Sequence, residues 1–245
     1  AGPVTFTINP AVQLPPVTVV VPVQVSGGSA QIGITLGAAS PADLSGTLEL
    51  TFTPADSSLP ANYSDPALQF LAGGRTVTFT IARGATNAVL PQDGRLNLGT
   101  VAGTILIRIT RLVAGTQNVL PSPEPSARIT IANAVPTITP GSVRIIPTAS
   151  GFDVEVIGSS NTRQITRATL TFQVSGAVDG DSTFTIDVTQ IFNAYFASTT
   201  GLANGGAFRL RIPFTLSGGD ASAITSVSVT LTNSVGVSVA VSGGR

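Results

Sequence analysis

Thr76-Val77-Thr78-Phe79-Thr80-Ile81 alternates a threonine with an apolar residue at every step. A strand turns successive side chains to opposite faces, so this run places Val77, Phe79 and Ile81 on one side and three hydroxyls on the other. A helix would scatter the same apolar residues around its circumference. The period of two returns along the whole chain in short runs bounded by Gly, Pro, Ser and Asp. The pattern predicts strands at 4–8, 17–25, 30–36, 47–53, 76–81, 96–101, 104–111 and 127–132. Further on it predicts 142–146, 152–157, 168–174, 183–188, 208–214, 226–232 and 237–241. Many short strands with turn residues between them describe an antiparallel β-sandwich and not a set of βαβ units.

The fold class expected is therefore all-β, with two tandem antiparallel β-sandwich domains, whose immunoglobulin-like character is what the resemblance given below implies, and an N-terminal extended strand. Residues 1–16 form the extension, 17–134 the first sandwich and 135–245 the second, with the boundary among the prolines around Pro136 and Pro140. The halves echo each other. Residues 47–52 parallel 168–172, 76–81 parallel 183–186, 104–109 match 208–212, and 127–132 match 226–231. Order is kept while spacing is not, which fits either two related sandwiches or two domains with a common strand grammar.

One stretch breaks the β pattern. Asp187-Val188-Thr189-Gln190 has the form of a capping box, and Ile191, Phe192, Tyr195 and Phe196 follow at helical spacing. A short helix plugging one end of the second sandwich is expected.

Composition restricts chemistry sharply. The 245 residues include no Lys, His, Cys, Met or Trp, and all 12 basic residues are Arg against 12 acidic ones. The usual general base, the thiol and amine nucleophiles and the soft metal ligands are missing together. The expectation is a non-enzyme with no catalytic residues, no cofactor and no metal. Charged residues make up 10% of the chain, against about 25% in an ordinary domain. Zero net charge and a mean hydropathy of +0.41 remove the repulsion that keeps proteins apart, which favours self-association. Nucleic acid wants a basic face that is absent here. No apolar run reaches the roughly 20 residues of a membrane-spanning helix.

The chain opens Ala1-Gly2-Pro3, as material does after cleavage at a small-residue site, so it is read as secreted, extracellular or cell-surface protein. Loss of Cys and Met suits long exposure to oxidants. Replacement of Lys by Arg fits selection for durability or a GC-rich genome equally well.

The remaining polar candidates each have a plain explanation. Asp179-Gly180-Asp181 reads as a turn before it reads as a calcium loop. Asp153 and Glu155 share a strand face and could pair as acid and base, but a solvated face accounts for them, and aromatic partners for a sugar are few. Ser and Thr have no His or Lys to activate them. Arg75, Arg163 and Arg167 could hold anions, pair with carboxylates or lay their stems on apolar surface. Asn62-Tyr63-Ser64 fits a glycosylation acceptor, a pattern common by chance.

The amino-terminal region carries the most specific signal. Val4, Phe6 and Ile8 form an apolar comb of period two, and the proline-rich residues 9–16 separate it from a second comb, Val17, Val19, Val21, Val23 and Val25. A short apolar strand on a stiff tether can complete the open sheet of a neighbour, which is donor-strand addition. Either comb could instead be the first strand of its own domain, and that reading is preferred for the second. Open edges are commonly guarded by Lys, and here there is none.

Several phrases resemble those of secreted bacterial immunoglobulin-like modules. They are Asp65-Pro66-Ala67-Leu68-Gln69-Phe70 leading to Gly73-Gly74-Arg75-Thr76, Gly99-Thr100-Val101-Ala102-Gly103-Thr104, Gly151-Phe152-Asp153-Val154-Glu155-Val156 with Thr162-Arg163, and Ser226-Val227-Ser228-Val229-Thr230-Leu231. The resemblance implies an extracellular two-domain sandwich and no particular activity. Sortase-built pilins need Lys, type IV pilins a long apolar helix, and chaperone-usher pilins usually a disulfide. What is left is similar in principle to the donor-strand fibres of some bacteria and archaea. The expected function is a non-catalytic subunit that polymerises with itself into a filament or surface layer. The alternative is a monomeric adhesion or carbohydrate-binding module, with a surface glycan or another secreted protein as partner.

Overall fold

The computed structural model describes residues 12–22, 28–60, 62–175, 182–218 and 220–245. The chain divides into two compact units, one of residues 1–52, 68–98 and 105–129, the other of residues 53–67, 99–104 and 130–245. The units interleave along the sequence instead of meeting at one point. The all-β expectation holds: both units are built from antiparallel sheets with alternating burial.

Among the described residues, ten strands fall wholly or largely in the first unit: β1 (Val17–Val20), β2 (Ser29–Gln31), β3 (Gly33–Leu36), β4 (Leu44–Pro54), β5 (Leu68–Phe70), β6 (Thr76–Ile81), β7 (Arg95–Leu98), β8 (Gly103–Ala114), β9 (Gln117–Asn118) and β10 (Ser126–Ile131). One sheet runs β10-β8-β4-β6. The pairs β1-β3 and β2-β7-β5 supply the other strands. Val77, Phe79 and Ile81 are buried while Thr76, Thr78 and Thr80 are exposed, as the alternation requires. Leu48, Leu50, Ile105, Ile107 and Ile109 are buried with them, each side chain contributing roughly 1.5–3 kcal/mol by leaving water.

Two glycines make this packing possible. Gly46 lies opposite Phe79 in the β4-β6 register, and a Cβ there would stand 2.3 Å from the phenyl ring. Gly94 takes φ +69°, and its Cβ would sit 2.2 Å from the Ile32 carbonyl oxygen. The Ile32 N–H donates to Gly94 O at 3.0 Å. That contact interrupts the single strand expected at 30–36 and leaves β2 and β3.

The second unit contains β11 (Thr137–Ile138), β12 (Arg144–Thr148), β13 (Gly151–Ser159), β14 (Arg167–Val174), β15 (Thr183–Asp187), helices α1 (Thr189–Ala197) and α2 (Thr199–Ala203), β16 (Ala207–Thr215), β17 (Ile224–Thr232) and β18 (Val241–Gly244). One layer is β16-β13 with β11, the other β15-β14-β17-β18. β12 pairs antiparallel with β13 and, at Arg144 and Gly244, parallel with β18, so it joins the layers. Val154, Val156, Leu170, Val227, Val229 and Leu231 fill the core.

The echoes between the halves are half right. β4 and β14 each sit between an edge strand, β6 or β15, and an inner strand, β8 or β17. The first two matched pairs are therefore equivalent strands. The other two slip: β8 corresponds to β17, whereas β16 lies in the opposite layer beside β13.

The helix forms where its spacing places it, with Phe192 and Phe196 buried and Tyr195 half-buried. Ile191 departs from the expectation and is 58% exposed. The cap also differs from a capping box. Val188 is the first flanking residue, and Asp187 instead accepts the Thr189 N–H at 2.8 Å.

Candidate functional site

The comb Val4, Phe6 and Ile8 lies outside the described residues, as do Val23 and Val25. At the start of the described chain the Val12 N–H donates to Gln117 Oε1 at 3.2 Å. Within the second comb, Val17 and Val19 belong to β1, which pairs with β3 inside the same chain. Val19 is buried and Val17 and Val21 are half-buried. The described part of this comb thus forms a strand of its own unit.

Strand addition needs an edge whose outer N–H and C=O groups bond nothing. Most edges here are guarded. β2, β5, β9 and β11 are only two or three residues long. β1 lies between Pro15-Pro16 and Pro22. β10 is entered through Pro125 and carries the exposed Arg128. Along β16 the outward groups include Pro213, which has no N–H, and the Ala207 carbonyl, which accepts the Tyr195 hydroxyl at 2.9 Å. Upstream of β18 the Ser238 hydroxyl takes the place of a backbone acceptor for the Leu231 N–H, at 3.0 Å, so the exposed residues Val237 and Val239 lie on a bulged segment.

The equivalent edges β6 and β15 differ. Thr80 of β6 exchanges both main-chain hydrogen bonds with Val89, at 2.8 and 3.2 Å. Two residues earlier, Asn87 bridges to Thr35 in β3. Residues 87–89 are therefore a strap from one layer to the edge of the other. Open apolar depressions of about 330 Å³ and about 460 Å³ remain along β6, the first lined by Phe79, Val89, Leu90 and Pro91, the second by Leu44 and Ile81 among others.

β15 has no strap. In an antiparallel ladder alternate residues point their main-chain groups outward. Phe172 N–H donates to Ser182 O, and Leu170 faces Phe184, so Thr183 and Thr185 are the outward pair. Among the described residues their outward groups meet no main-chain partner. The strand has no proline, no bulge and one charge, Asp187, already engaged with Thr189. Inward, Phe184 is 42% exposed and is the one aromatic among the exposed large apolar side chains described. It meets Phe172 and Phe214 edge-on, each at 5.8 Å between ring centres. A bare edge here borders an apolar surface.

The other candidates are absorbed by structure. Glu155 pairs with Arg209 at 2.6 Å and Asp153 with Arg211 at 3.1 Å, in diagonal contacts between β13 and β16. Arg163 is buried at φ +55°. It donates to the carbonyls of Gly201, at 3.0 Å, Gly205 and Phe196, with its guanidinium 5.0 Å from the Phe196 ring centre. It is no anion site: the C-terminal carbonyls of two short helices balance its charge. Arg167 faces Asp187 across β14 and β15. Asp65, unremarked beyond its place in a phrase, is buried and accepts the N–H groups of Thr100, Val101 and Ala67 at 2.5, 2.8 and 3.0 Å. Asn62 is exposed beside the buried Tyr63. Asp179 and Asp181 lie outside the described residues. Among the described residues no three metal-ligating side chains cluster, and no helix is long and apolar enough to cross a membrane.

Fold and edges together define an all-β, immunoglobulin-like sandwich protein with, among the described residues, one bare strand edge. No protein-family model matches the chain, and no curated protein matches it. Similar solved structures include "CBD12 from CALX1.2", at 12% identity and TM-score 0.28 over 83% of this chain and 73% of that one. Another is "calcium binding domain CBD12 of CALX1.1", at 10% identity and TM-score 0.29 over 83% and 72%. Likenesses of this size carry no ligand or activity to this chain.

Proposed function

We propose that this chain is a secreted, non-catalytic structural subunit that assembles with copies of itself by β-strand addition into a filament or surface layer. The donor is the comb Val4, Phe6 and Ile8, carried on the proline-rich residues 9–16. The single observation that carries the reading is the unguarded β15 edge, with Phe184 exposed beside it, in a chain that has no Lys to protect any edge. Zero net charge favours the same outcome. Without Lys, Cys or His, such a polymer is held by main-chain hydrogen bonds and buried apolar side chains, not by isopeptides, disulfides or His and Cys metal sites.

The test removes residues 1–9. The shortened chain is expected to stay folded and sediment as a monomer, while the complete chain forms particles visible by electron microscopy. Polymers of the shortened chain indistinguishable from those of the complete one contradict the proposal. A complete chain that stays monomeric at every concentration would point to a surface-binding module instead.

A further inference from the structure

The tetrapeptide Thr-Phe-Thr-Ile occurs three times in this chain, at residues 5–8, 78–81 and 183–186. The two described copies occupy equivalent places: 78–81 is in β6 and 183–186 in β15, the outer strands beside β4 and β14. The likeness of the first copy to β6 extends one residue further, since Val4-Thr5-Phe6-Thr7-Ile8 repeats Val77-Thr78-Phe79-Thr80-Ile81 exactly in residue type. The amino-terminal comb therefore has the sequence of an edge strand in a chain whose two sandwiches already contain theirs.

We infer that Thr5-Phe6-Thr7-Ile8 of a second copy adds to the outer edge of β15. The inference rests on the strand-addition reading above and names its acceptor. Three features select β15 over β6. The β6 edge is occupied at Thr80 by the Val89 strap. The outward main-chain groups of Thr183 and Thr185 meet no described partner. Phe184 leaves aromatic surface uncovered next to that edge.

The residue pattern fits on both faces of the extended sheet. The hydroxyls of Thr183 and Thr185 already meet those of Thr171 and Thr169 on β14, at 3.1 and 3.4 Å. Thr5 and Thr7 continue that threonine face by one strand. Phe6 and Ile8 continue the face of Phe184 and Ile186, bringing a second phenyl ring over the exposed one. No charge is buried, because neither Thr-Phe-Thr-Ile segment holds one.

The experiment uses the chain lacking residues 1–9 and a synthetic peptide of those nine residues, with amide hydrogen exchange read residue by residue. Peptide is expected to slow exchange at Thr183 and Thr185 by roughly tenfold or more, the scale of new main-chain hydrogen bonds. A peptide with Phe6→Asp should have no such effect. Thr185→Pro deletes an N–H that bonds nothing in its own sheet, and Thr185→Lys places a charge on the edge. Either variant of the complete chain should keep its thermal transition and lose polymer. Protection confined to β6 or to other edges, or wild-type polymerisation by both Thr185 variants, overturns the acceptor assignment while leaving strand addition standing. Thr183 and Thr185 already protected in dilute monomeric complete chain would place the segment in its own chain and overturn the exchange between copies. Polymerisation of the shortened chain defeats the underlying reading itself.

Discussion

Thr80 and Val89 exchange both of their main-chain hydrogen bonds, at 2.8 and 3.2 Å, across the outer edge of β6. The two residues do for the first unit what nothing described does for the second, where Thr185 stands bare in the equivalent strand. The pair of edges is a comparison within one molecule. The same four residues are closed off in one place and open in the other.

Val89→Pro removes the N–H that donates to Thr80 O and leaves the segment extended. A loss of about 1 kcal/mol is expected, the net worth of one main-chain hydrogen bond. Urea unfolding of the variant, read at the transition of the first unit, checks this. An unchanged midpoint would mean that the strap contributes nothing to stability.

Arg163→Met strands three carbonyl acceptors, those of Phe196, Gly201 and Gly205, in a buried place. The expected cost is about 3 kcal/mol, since breaking a buried charge-assisted network leaves its partners unsatisfied. Arg163→Lys should recover little of it, because an ammonium cannot spread to three carbonyls as a planar guanidinium does. Chemical denaturation of both variants measures the difference.

Which of these features could be read from the sequence depends on range. Thr76–Ile81 was legible to the residue because a half-buried strand writes its burial into its own alternation. Residues 30–36 were not, because the break at Ile32 comes from Gly94, far along the chain. β5 and β11 are too short to show any period. The correspondence of β8 with β17 needed the pairing, since period-two runs resemble one another whichever layer they occupy. The role of Arg163 was hidden because its partners are backbone carbonyls, which every residue has. The bareness of β15 is likewise a property of what does not pair with it.

The Asp187 carboxyl is held below the ordinary aspartate value of 3.8 by hydrogen bonds from Thr189, first its hydroxyl and then its main-chain N–H. A lowered folded-state pKa adds stability that is complete above the unfolded value and disappears as pH falls through the folded one. The start of α1 is therefore expected to loosen only in acid, below about pH 4. Asp187→Asn should remove that part of the acid dependence, as followed by amide exchange at Thr189 between pH 2 and pH 5. Identical acid profiles in the two proteins would contradict the assignment.

The central claim is that copies of this chain are joined by their amino-terminal strands. Its most direct test is sedimentation of the assembled complete chain titrated with the free peptide of residues 1–9. Peptide that occupies the acceptor edges is predicted to shift the chain progressively to monomers, while the Phe6→Asp peptide leaves the polymer intact. A size distribution that stays the same at saturating peptide would contradict it.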